Sequence, residues 1–182
     1  MTPQELWQSQ QKEDVTMTLE QVRAHARRLE RRVAWRNGRE YAAAVPVIVV
    51  FGWAAWSLPS PLIRIASPLT IAAVAFVLWY LHEHGSAQAL PPELGTTNAV
   101  EFLRGELVRQ RDLLQTVWRW YLLPFVPGQA IFVVGAARGR PGPAWAAGYG
   151  FFAAAIFIGG HLLNRWSASR IQKRIERLDA YR

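Results

Sequence analysis

The chain has 182 residues, a formal net charge of +8, 51% hydrophobic residues, nine tryptophans and no cysteine. That length is enough for one domain, and the missing cysteines exclude disulfides, thiolate catalysis and cysteine-ligated zinc. The charges crowd into Gln11 to Glu40, His82 to Arg119 and Arg165 to Arg182, leaving the intervening segments almost without them. A soluble helix of this size needs a wet face, and these segments have none, so the pattern predicts an all-α integral membrane protein.

In chain order, residues 1–40 form a polar segment and a basic amphipathic helix. The first residues lack the apolar core of a cleavable signal peptide, so the first apolar segment should serve as an uncleaved anchor. Residues 41–81 read as transmembrane hairpin 1, with spans Tyr41 to Leu58 and Pro61 to Leu81 joined by a short proline-rich turn. Each has about the 17–25 residues that cross a hydrocarbon layer. Residues 82–116 are a cytoplasmic connection and second amphipathic helix. Residues 117–163 are transmembrane hairpin 2, with spans Val117 to Ala137 and Pro143 to Leu163, and 164–182 are a basic tail helix. The arginine excess flanks the two termini and the 82–116 connection, which places both termini in the cytoplasm. Anionic lipid on that face is the expected membrane partner.

Thr18 with Gln21, and Asn98 with Glu101 eighty positions later, have the spacing of helix-starting capping pairs. Arg39-Glu-Tyr41 and Arg119-Trp-Tyr121 then open the first and third spans at the same offset. The chain therefore reads as two parallel repeats, each an amphipathic cytoplasmic helix leading into a transmembrane hairpin, four spans in all. The leaders carry apolar stripes, Leu19, Val22, Ala26, Leu29 and Val33 in one and Val100, Leu103, Leu107, Leu114 and Val117 in the other. Each stripe needs a partner: the other leader, or the lipid surface. The tail helix, with Ile171, Ile175 and Leu178 on one side, could join them as a third strand or lie on lipid.

Trp118, Arg119, Trp120 and Tyr121 suit the headgroup level as interface anchors. Pro124, Pro127 and Gly128 should kink the third span just inside the membrane, either as a fixed packing bend or as a hinge, and Pro46 lies at similar depth in the first. Ala146, Gly150 and Ala154 form a small-residue stripe for close helix packing, within the chain or in a homodimer. Gln129 is the only large polar side chain deep in a span, little for an ion or proton pathway to use. His82, Glu83, His84 and His161 lie near one level, but His82 and His84 point opposite ways on a helix. No residue qualifies as catalytic, cofactor-binding or metal-ligating, so the expectation is a protein that is not an enzyme and carries no cofactor. The arginines adjoin apolar segments rather than forming a separate module, which argues against nucleic acid.

The stretches "ELWQSQ", "REYAAAVPVIVVFGW" and "QRDLLQTVWRWYLLPFVPG" together resemble an uncharacterised group of small bacterial inner-membrane proteins, of the type encoded near extracytoplasmic-function sigma factors. That resemblance implies a bacterial inner-membrane location and a regulatory role. The resulting functional expectation is an interaction or regulatory protein that engages a partner through its cytoplasmic helices. The alternative is an oligomeric transporter or channel for a small solute or lipid.

Overall fold

The computed structural model describes residues 18–91, 93, 95–139 and 142–179; the N-terminal seventeen residues, Arg140 and the end of the tail lie outside the described residues. Those described form helices, with no strand among them. Helix α1 is Leu19–Ser57, α2 is Pro61–Gly85, α3 is Thr96–Gln115, α4 is Phe125–Arg138 and α5 is Pro143–Asp179, with a π-helical turn, Trp118–Leu122, between α3 and α4. Three of these, α1, α2 and α5, are long and apolar enough to cross a membrane, while α4 is a shorter apolar helix.

The helix boundaries follow from local chemistry. Thr18 caps α1 through a full capping box: its amide donates to Gln21 Oε1 at 3.0 Å, and the Gln21 amide donates to Thr18 Oγ1 at 3.3 Å. From there α1 continues through Pro46 without interruption, so the first leader and the first apolar segment are one rod. Helix α3 starts differently. Gly95 is the cap of α3 and contributes no side-chain bond, so the helix is already under way at Asn98 and no Asn98–Glu101 capping box forms. Pro61 opens α2, where the missing amide hydrogen costs nothing. Gly142, with φ of 106°, turns the chain into α5, and its amide closes back on the Ala136 carbonyl at 3.0 Å.

Apolar side chains pack in three separate clusters along the molecule. At one end Phe51, Ala54, Ile63, Ala66, Phe132, Ala136 and Ala146 join the ends of α1 and α4 to the starts of α2 and α5. In the middle Val77, Leu81, Leu113, Val117 and Trp120 join α2 to the α3–α4 passage. At the opposite end Val22, Ala26, Leu103, Leu107, Ile175 and Leu178 bring the two leaders and the tail helix into one bundle. From the first of these ends towards the bundle, α1 and α5 carry large exposed apolar side chains, Trp56 at 87% and Phe151 at 78% among them. Such a band is the surface a hydrocarbon solvent would cover.

Candidate functional site

Among the residues singled out in the sequence, the aromatic run divides between surface and interior. Trp118 and Arg119 are exposed, and the Arg119 guanidinium lies 5.1 Å from the Trp118 ring centroid. Trp120 is buried instead, stacked 4.9 Å from Tyr80, with its indole nitrogen donating to the Leu113 carbonyl at 3.1 Å. Tyr121 donates to Glu40 Oε2 at 2.7 Å, tying the π turn to α1. The break in the third apolar segment falls at this turn, where Leu123 donates five residues back to Trp118 at 2.9 Å. Pro124 follows it and Pro127 sits in the first turn of α4, where a proline is tolerated.

Gly128 is a point of close helix approach. A Cβ placed there would lie 2.6 Å from Thr70 Oγ1 and 3.1 Å from the Thr70 amide nitrogen, and one at Gly135 would lie 2.9 Å from Leu62 Cβ. These glycines let α4 lie against α2. Gln129 links three helices: its Nε2 donates to Thr70 Oγ1 at 3.3 Å and its Oε1 accepts from Tyr149 at 2.5 Å. Of the small-residue stripe, Ala146 is buried, a Cβ placed at Gly150 would lie 3.9 Å from Val133 on α4, and Ala154 is exposed. Ring stacking places His84 on Tyr80 at 4.3 Å. No cluster of three metal-ligating side chains occurs among the described residues.

The polar chemistry concentrates where α2 ends and the leader bundle begins. The last carbonyls of α2 carry the negative end of its dipole. Arg36 Nη2 and Asn37 Nδ2 donate to the Gly85 carbonyl at 3.1 and 3.3 Å, and Arg109 donates to the carbonyls of His84 and Ser86. Glu106, buried, holds Arg109 at 2.7 Å and accepts from the Gln88 amide at 3.2 Å. Arg36 also donates to Gln110 Oε1 at 3.2 Å. Burial lowers the Arg36 pKa from its ordinary value, an effect that Glu40 opposes.

Above this clasp, α3 packs between α1 and α5, and the two outer helices stand apart as walls over it. Arg104 pairs with Asp179 at 2.6 Å and Arg111 donates to Gln172 at 2.8 Å, fixing the tail helix to α3. The resulting cleft contains two adjoining cavities. The distal one, about 540 Å³, has Leu29, Leu103 and Leu107 as floor and Arg28, Arg32, Arg174 and Arg177 as walls. The proximal one, about 300 Å³, lies nearer the apolar band between Arg32, Arg36, Arg170, Arg174, Gln110 and Trp166. Among the described residues no carboxylate lines either of them. Among the described residues no ion pair holds Arg28, Arg32, Arg170, Arg174 or Arg177. Burial, then Arg32, Arg177 and Arg170, hold the Arg174 pKa below its ordinary value. Charges of one sign are thus crowded around an apolar floor.

No protein family, curated protein or solved structure matches the chain. Sequence reasoning singled out none of these cleft arginines as a site. The signal available was their recurrence at Arg28, Arg32 and Arg36 and at Arg170, Arg174 and Arg177, helical spacings of four and three that line up one face on each of two helices.

Proposed function

We propose that this chain is a multi-pass integral protein of the bacterial cytoplasmic membrane that holds a protein partner with its leader bundle, without catalysing a reaction. In this reading Trp118 to Arg138, helical apart from the turn ahead of α4, makes a fourth span. The molecule is then two parallel repeats, with both termini and the α2–α3 connection in the cytoplasm. Arginine placement supports that orientation. The regulatory part of the reading rests on the resemblance noted above.

The observation that carries the reading is the distal cavity. An open trough with a leucine floor and arginine walls is complementary to an amphipathic helix with one apolar stripe flanked by carboxylates. Seated there, such a helix would complete a four-helix bundle with α1, α3 and α5 and relieve the crowding of arginines. The test is a photo-crosslinking side chain at Gln21, which lines this cavity, activated in native membranes. The expected result is a discrete adduct, crosslinked through an acidic amphipathic segment, that R28E/R177E abolishes. An adduct that survives those charge reversals, or none in native membranes, contradicts the reading.

A further inference from the structure

The proximal cavity differs from the distal one in three respects that bear on its ligand. It lies beside Trp166, where the exposed apolar surface of α5 gives way to the basic tail helix. Arg170 is already positioned there, its guanidinium stacked 3.4 Å from the Trp166 ring centroid. Gln110, only 1% exposed, lines the cavity; its Oε1 accepts from Arg36, while its Nε2 has no hydrogen-bond partner among the described residues. A buried amide donor without an acceptor costs free energy unless a ligand supplies one. Its donors suit an anion with several acceptor oxygens, and its apolar lining, Leu29, Val33 and Ile171, suits hydrocarbon beside it.

We infer that the cavity between α1, α3 and α5 is a binding site for the phosphate of one anionic phospholipid, held by Arg32, Arg170, Arg174 and the Gln110 amide, with its acyl chains descending beside Trp166. A phosphodiester offers acceptor oxygens to guanidinium forks and to the amide together. A soluble phosphate would satisfy the same donors but would leave the apolar lining uncovered. The lipid would brace α1 against α5, the two walls that do not pack on each other. The site rests on the membrane reading above but does not require the partner helix, because Arg28 and Arg177 line only the distal cavity.

The test is lipid retention, read by native mass spectrometry after extraction of the full chain from nanodiscs of phosphatidylcholine containing phosphatidylglycerol. The wild type should retain one phosphatidylglycerol per chain in preference to phosphatidylcholine. R170Q/R174Q should lower that retention about tenfold or more, the loss expected for two arginine contacts to a lipid headgroup. R28Q/R177Q, which removes equal charge from the distal cavity, should retain the lipid. R170K/R174K, which keeps the charge but loses the planar fork, should lower retention clearly less than R170Q/R174Q, separating lost charge from disturbed packing. Equal loss in R28Q/R177Q, equal loss in the lysine pair, or full retention in R170Q/R174Q would each overturn the site. Displacement of the lipid by millimolar inorganic phosphate would overturn the assignment to a phospholipid in favour of the free anion. The membrane reading is scored separately, by whether the chain resists alkaline extraction from membranes. A chain that stays in the membrane but shows no selective lipid refutes the site alone.

Discussion

At Gly128 a single hydrogen in place of a methyl group decides how near two helices can lie. The nearest atoms to a Cβ there include the Thr70 amide nitrogen and the Ala66 carbonyl, and backbone cannot swing aside as a flexible side chain would. Gly128→Ala should therefore destabilise the protein in detergent by about 1–3 kcal/mol, an overpacking cost, and should part α4 from α2. A thermal midpoint equal to wild type would show that the approach is looser than drawn. Arg36 makes a second residue-scale case, since it serves both the end of α2 and Gln110. Arg36→Met leaves the Gln110 carbonyl oxygen without its donor and weakens the clasp on Gly85, for a loss of about 1–3 kcal/mol, measurable by denaturant titration. Arg174 supplies a test of sign. Its folded pKa is lowered by burial and neighbouring arginines, so carrying the charge costs stability throughout the range below that pKa and ceases to do so only as pH rises through it. A guanidinium stays protonated between about pH 6 and 9, so the expected effect there is one of salt rather than pH. Raising salt from about 50 mM to about 500 mM should raise the thermal midpoint of delipidated protein; a fall would contradict the crowding.

At the scale of elements, the apolar stripes of the two leaders were legible because a periodicity of three and four is a property of neighbouring residues. Val22 and Ala26 do meet Leu103 and Leu107 in one cluster. What periodicity could not choose was the position of the tail helix. Ile175 and Leu178 would suit lipid as well as protein, and the choice is made by long-range polar contacts, Arg104 with Asp179 and Arg111 with Gln172. The cleft was illegible for the same reason: its walls come from helices far apart in the chain. The second helix start was misplaced because Asn98 and Glu101 have capping spacing, yet the chain had already entered its helix after Gly95. Trp120 shows the limit of composition, since a tryptophan beside an arginine at a helix entrance suits the headgroups, but stacking on Tyr80 places this one inside. The bundle itself is testable. Val22→Asp buries a charge in the apolar cluster that joins the leaders, away from the lining of the arginine cleft, costing about 3 kcal/mol or more, so a spin-label distance between α1 and α3 should lengthen. An unchanged distance would mean the two leaders do not depend on that core.

Over the whole molecule, an apolar band of the kind a membrane covers adjoins a basic bundle at the end opposite the starts of α2 and α5. Both the partner trough and the phospholipid site require the bundle to lie in the cytoplasm, beside the anionic leaflet. The chain has no cysteine, so single replacements can report on each side without background. Ser86, exposed at the end of α2, marks the bundle side; Ser60, between α1 and α2, marks the other. The most direct measurement is labelling of Ser60→Cys and Ser86→Cys in intact cells with a membrane-impermeant thiol reagent. The expected result is reaction at position 60 in intact cells and at position 86 only after permeabilisation. Labelling of position 86 in intact cells, with position 60 protected, would put the arginine cleft outside the cytoplasm and contradict the account.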